Sequence, residues 1–160
     1  MKVVSNTTAL INFARIGRLD ILREIFKEIL IPEEVYAEIK GYTRERINEQ
    51  RNWIKRCIIT CHKTFSYLIK QGLHSGEAAA IVLVLDQLPS NKPIYLILDE
   101  TYGRKVAKSI FEDRDVKLIS SVQVLKIAES KGIIQNRGTL LRQFYQEGYE
   151  PSKLDRYELY

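Results

Sequence analysis

The sequence predicts an α/β fold of three layers, in which a central, mainly parallel sheet is flanked by helices. Two observations predict it. Short apolar segments that read as strands alternate with stretches whose apolar residues recur at helical spacing. One strand, Tyr95-Leu96-Ile97-Leu98, is apolar on both faces, as buried parallel strands tend to be.

The elements follow in order. Val3-Val4 reads as the first strand. Thr7 or Thr8 can cap a helix in which Leu10, Phe13 and Ala14 share a face. Gly17 ends that helix in the expected C′ position. A second helix covers about residues 19–26, with Leu19, Leu22 and Phe26 on one side. Ile29-Leu30-Ile31 is a strand, and Pro32 suits the first position of a helix that runs to about Ile39. Val35 and Ile39 mark its buried face. Residues 43–56 are polar and basic, with Ile47, Trp53 and Ile54 as an incomplete apolar side. Ile58-Ile59-Thr60 reads as a strand, with Cys57 buried at its start. Ser75 can cap a long apolar helix over residues 76–88, and Pro89, Ser90, Asn91 and Pro93 form a loop. After the strand at 95–98 come a helix at about 102–111, a strand at 116–119 and a helix capped by Ser121 that ends at Gly132. In the tail, Leu140, Leu141, Phe144, Leu154 and Leu159 stand at helical spacing around Gly148-Tyr149. They suggest two terminal helices packed on the domain edge or on a partner.

A chain of 160 residues with 45% hydrophobic and 28% charged residues predicts a single domain over 1–160 with a real core. Residues 133–160 read as its C-terminal helical extension. No apolar run approaches the roughly 20 residues needed to span a bilayer. The first residues lack the long apolar stretch of a secretory signal, so a cytoplasmic location is expected. Cys57 and Cys61 are too few for a disulfide framework. Cys61-His62 finds no second Cys or His pair at zinc spacing, since the other histidine is His74. The net charge of +5 is compatible with a polyanionic partner but weak evidence for one.

The acids are more informative. In open α/β sheets, sites form beyond the carboxyl ends of the strands. Asn6 follows the first strand there, and Asp99 with Glu100 follows the strand at 95–98. An acid at a core edge is costly without partners. Capping of the next helix would explain Asp99 or Glu100. Glu77, in the first turn of an apolar helix, could simply stabilise the helix dipole. Glu38, one turn after Glu34, could sit on a solvated face.

Taken together, these acids fall in a known pattern. Val3-Val4-Ser5-Asn6-Thr7-Thr8-Ala9-Leu10-Ile11, Ile16-Gly17-Arg18-Leu19-Asp20-Ile21-Leu22 and Ile31-Pro32-Glu33-Glu34-Val35-Tyr36 resemble the opening of a prokaryotic PIN-domain subfamily. Gly76-Glu77-Ala78 with Ala80-Ile81, and Leu98-Asp99-Glu100 with Gly103-Arg104-Lys105-Val106-Ala107, resemble its next two blocks. The resemblance spans about residues 3–132. It implies a PIN-like fold and a Mg²⁺- or Mn²⁺-dependent ribonuclease, often the toxin of a toxin–antitoxin pair. RNA, an antitoxin protein and a second copy in a homodimer are the implied partners.

Carried over by position, the site is Asn6, Glu38, Glu77 and Asp99, with Glu100 beside them. Glu34 is the alternative to Glu38. Asp99 and Glu77 are expected as principal metal ligands, with Asn6 and Glu100 in support. Glu38, Glu77 and Asp99 form the expected catalytic set, with Glu38 holding metal-bound water or serving as proton acceptor. Thr7 would bond a carboxylate or the substrate phosphate. Arg104, Lys105, Lys108 and the basic 44–56 stretch would attract the RNA backbone. Such oxygen donors suit hard divalent ions.

The first-strand position in PIN nucleases is usually Asp, and here it is Asn6. Asn keeps a ligating carbonyl oxygen but brings no charge. Three functions therefore stand side by side: an active ribonuclease, a catalytically weak PIN-like module that binds RNA or protein, and an unrelated α/β protein whose acids are only caps.

Overall fold

The structure, a computed structural model, describes residues 1–150. Its strands are β1 (Lys2–Ser5), β2 (Ile29–Pro32), β3 (Ile54–Cys57), β4 (Ile94–Ile97) and β5 (Val116–Ile119). They form one sheet in the order β3-β2-β1-β4-β5, and every neighbouring pair is parallel. Helices α1 (Thr7–Arg15) and α2 (Leu19–Phe26) join β1 to β2, and α3 (Glu33–Glu38) and α4 (Gly41–Glu49) join β2 to β3. Helices α5 (His62–Lys70) and α6 (Ser75–Asp86) lead to β4, α7 (Thr101–Ile110) leads to β5, and α8 (Ser121–Ser130) and α9 (Arg137–Gln146) follow. The α/β class and the layered arrangement are those the sequence predicts.

Period-two alternation in the strands divides the core in two. Val3 and Ile97 belong to one cluster, with Leu10, Phe13, Leu22, Leu125 and Phe144. Val4, Leu96 and Leu98 belong to the other, with Ile81, Leu83, Ala107 and Phe111. Helix α6 lies at the centre of the second cluster. Its residues from Gly76 to Val84 are all buried, as befits a helix apolar all round. Gly17 and Gly132, at φ of +70° and +73°, close α1 and α8 in the left-handed conformation that glycine adopts most readily.

The structure moves some expected boundaries. Pro32 ends β2 and precedes α3 instead of opening it. The third strand lies at Ile54–Cys57, not at 58–60, and pairs Ile29 with Ile54 through Pro32 with Cys57. The physical reason lies in Asp86, which accepts hydrogen bonds from Thr60 N (2.8 Å) and Thr60 Oγ1 (2.6 Å) and holds this segment at the end of α6. Ile58 is consequently exposed and Cys57 only half-buried. Helix α5 has no counterpart in the sequence reading, and it buries only Leu68. His74 precedes α6 and Ser120 caps α8, each one residue before the expected serine.

In the tail, α9 buries Leu140 and Phe144 against the first core cluster. The Phe144 ring meets Phe13 edge-on at 5.1 Å and Tyr149 at 5.6 Å. The second expected tail helix, with Leu154 and Leu159, lies outside the described residues. No helix among the described residues is long and apolar enough to cross a membrane.

Because Phe144 is fully buried among aromatic rings, Phe144→Ala should cost about 3–5 kcal/mol. Urea unfolding should show a lower midpoint with an unchanged slope. A near-neutral effect would show that α9 is not part of the core.

Candidate functional site

Strand order sets the location of the site. From β1 the chain moves outward to β2 and β3, and from β4 it moves the other way to β5. The crevice beyond the carboxyl ends of β1 and β4 is therefore a topological switch point. Ser5 pairs with Ile97 at its base, and Asn6 N–H donates to the Ile97 carbonyl at 3.1 Å. Asn6, Thr7 and Thr8 enter from β1, and Asp99 and Glu100 from β4.

A cavity of about 280 Å³ opens there, lined by Asn6, Thr7, Thr8, Glu38, His74, Glu77 and Glu100. Glu38 comes from the last turn of α3. Thr7 Oγ1 donates to its Oε2 at 2.5 Å, and Gly76 N–H, in the first turn of α6, donates to its Oε1 at 2.7 Å. Glu100 directly precedes α7. Asn6 Nδ2 donates to its Oε2 at 2.7 Å, and the Thr8 hydroxyl donates to its Oε1. Glu77 is 7% exposed, and its Oε1 accepts a long bond from His74 N–H, at 3.4 Å.

Two glycines make this crowding possible. A Cβ at Gly76 would fall 2.5 Å from Glu38 Oε2, and one at Gly103 would collide with Glu77 Oε2. Gly76 and Gly103 thus let α6 and α7 approach the carboxylates. Thr8, His74 and these glycines are site residues that the sequence reading did not assign. The available signal was a glycine inside each of two helical patterns, which calls for a packing reason.

The electrostatics are unfavourable within the protein alone. Burial pushes the Glu77 carboxyl up to about 7, and the neighbouring Glu100 charge adds to the rise. The His74 N–H bond and the His74 side chain oppose it, and Glu38 raises it slightly further. Asn6 Oδ1 is buried without a hydrogen-bond partner among the described residues. A buried carbonyl oxygen left unpaired costs free energy. An orphan carbonyl oxygen beside carboxylates is a donor set suited to a hard divalent cation. Among the described residues, no three Asp, Glu, His or Cys side chains form a ready-made metal cage.

Three predicted site residues lie away from this cavity. Asp99 does not line the cavity. Its Oδ1 accepts from Ser121 N–H (2.8 Å) and the Tyr149 hydroxyl (3.3 Å), and its Oδ2 from the Ser121 hydroxyl (2.6 Å). Successive side chains of an extended segment point to opposite sides. Glu100 thus reaches the cavity while Asp99 reaches the start of α8, where free N–H groups attract a carboxylate. Arg104 and Lys105 line a separate cleft between α7 and β5. Arg104 Nη1 donates to the Leu98 carbonyl at 2.8 Å.

Glu38, not Glu34, lines the cavity. In the basic stretch, Arg44 and Arg56 lie over the Tyr36 ring at 4.5 and 3.7 Å, and Arg56 pairs with Glu33 at 2.6 Å. Arg46 bonds the Tyr42 hydroxyl and Glu49.

A protein-family model described as a PIN domain matches residues 2–153, nearly the whole chain. No curated protein and no solved structure matches the chain.

The raised Glu77 carboxyl has a consequence for stability. Between the ordinary value of 4.5 and about 7, the unfolded chain loses this proton while the folded chain keeps it. Its contribution is therefore most favourable below the ordinary value and declines as pH rises through about 7. Without divalent ions, Glu77→Gln should melt a few degrees above wild type at pH 8, and the gain should shrink at pH 5. A gain independent of pH would contradict this account of Glu77.

Proposed function

The chain belongs to the PIN-domain family and carries the PIN-type nuclease fold; from that premise we propose that it is a Mg²⁺- or Mn²⁺-dependent ribonuclease. The observation that carries the proposal is the convergence of Glu38, Glu77, Glu100 and the unpaired Asn6 carbonyl oxygen on one cavity at the strand ends.

Asn6 Oδ1 and the carboxylates of Glu77 and Glu100 would hold the ion, and Glu38 lines the same cavity. When bound, a hard divalent cation would stabilise charge on the scissile phosphate and favour ionisation of water near it. The protein's own groups would do the rest. Thr7 and the Gly76 N–H fix both oxygens of Glu38, so its carboxylate is oriented before substrate arrives. It would accept the proton of an attacking water. Thr8 and Asn6 hold Glu100 in the same way. Asp99 acts through position, tying the end of β4 to α8. A cellular role as the toxin of a toxin–antitoxin pair, restrained by an antitoxin protein, belongs to the same proposal and is suggested by the family.

One observation favours a second reading, a PIN module that binds RNA without cutting it. Asn6 supplies an amide where a further carboxylate would add charge, and its Nδ2 already occupies one oxygen of Glu100.

The test is cleavage of single-stranded RNA by purified protein with Mn²⁺ or Mg²⁺. Glu38→Gln, Glu77→Gln and Glu100→Gln should each lower the rate by about 100-fold or more. Asp99→Asn should lose thermal stability yet keep most of its activity. Asn6→Asp should cut at several-fold lower metal concentration. A wild-type protein that binds RNA but never cuts it would select the second reading. Undiminished cutting by the glutamate variants would remove the cavity from the mechanism.

A further inference from the structure

A second cavity, of about 870 Å³, lies between α7 and the edge strand β5. Its lining is apolar on one side: Val116 and Leu118 of β5 are half-buried, and Phe111 is buried. Its rim is basic. Arg104, Lys105 and Lys108 come from α7, and Arg114 from the turn before β5. Among its described lining residues these four cations face one acid, Glu112, while Asp113 and Asp115 flank Arg114 in sequence without lining the cleft.

The cleft begins at Thr101, the residue after Glu100 of the acidic cavity. It then follows α7, whose ten residues span about 15 Å. An apolar floor and a cationic rim, with Thr101 next in sequence to Glu100, make one arrangement.

We infer that this cleft is the track for the single-stranded RNA segment that flanks the cut. The inference rests on the nuclease reading given above and adds where the substrate lies. A single strand offers two chemistries at once, unpaired base faces that prefer an apolar bed and phosphates that prefer cations. The cleft presents both in matching places. Lys108 and Arg114 take phosphates remote from the cut, and Arg104 and Lys105 take those near it. Arg104 is pre-positioned by its bond to the Leu98 carbonyl at 2.8 Å. An acidic peptide would satisfy the rim too, but it would not call for a rim that starts one residue from the acidic cavity. The glutamates of that cavity repel phosphates, so binding strength for a long substrate must come from outside it.

The test uses the full chain and the exposed pair Lys108→Ala/Arg114→Ala, neither of which belongs to the acidic cavity. A fluorescent single-stranded RNA of about 12 nucleotides, longer than the cavity alone could hold, is titrated in EDTA at several salt concentrations. The variant should bind about tenfold more weakly, and its log–log salt slope should be shallower by about 1.4, two contacts at about 0.7 each. With Mn²⁺, KM for the long RNA should rise with kcat unchanged, while a dinucleotide is cut as by wild type. In wild type, bound RNA should protect Lys105 and Lys108 from acetylation.

A wild type that binds and cuts RNA, with a variant of equal affinity and slope, would overturn the track and leave the nuclease reading standing. A wild type that neither binds nor cuts RNA would remove both. Equal RNA binding by the two proteins, with an acidic amphipathic peptide bound by wild type and lost by the variant, would assign the cleft to a protein partner and overturn the inference.

Discussion

The crowding of three glutamates against one amide at the ends of β1 and β4 is the constraint around which the rest is arranged. Like charges in a partly buried space repel strongly, and burial adds to the cost. The fold answers with hydroxyl and N–H donors on Glu38 and Glu100, and with glycines at 76 and 103 where any side chain would collide. It does not answer fully at Glu77, whose carboxyl is pushed up to about 7. Nor does it give Asn6 Oδ1 a partner among the described residues. A site left short of positive charge in this way is poised for a cation, and that is the physical content of the proposed function.

The same arrangement separates two tasks. The acidic cavity lies at the switch point of the sheet, where loops from both halves meet. The basic cleft lies one residue further along, on the edge strand. On the proposed reading, cations placed beside the carboxylates, rather than among them, would attract a polyanion without neutralising the groups that would hold an ion. Asp99 belongs to a third task. It is buried and bonded to Ser121 and Tyr149, so it fixes the strand end from which Glu100 projects.

Much of this was legible in the sequence, and the misplaced parts have physical causes. Four of the five strands and the face shared by Leu10, Phe13 and Ala14 follow from apolar periodicity. That signal fails where hydrogen bonds outside the sheet decide the matter, as when Asp86 captures Thr60 and the third strand shifts to Ile54–Cys57. Asn6, Glu38 and Glu77 were readable from motif order. The choice between Asp99 and Glu100 was not, because neighbouring residues of an extended segment face opposite ways. Which one meets the cavity depends on where α8 begins, more than 20 residues later. Arg104 and Lys105 were recognised as basic, but their separation from the acids is set by the packing of α7 on β5.

The proposed cation site is made by Asn6, Glu77 and Glu100, and not by Asp99. It is tested most directly by titrating metal-free protein with Mn²⁺ and reading the free ion by electron paramagnetic resonance. Wild type and Asp99→Asn should show the same single site, and Glu100→Gln should weaken it at least about tenfold, roughly 1.4 kcal/mol. Unchanged binding in Glu100→Gln, or a loss confined to a folded Asp99→Asn, would contradict the account.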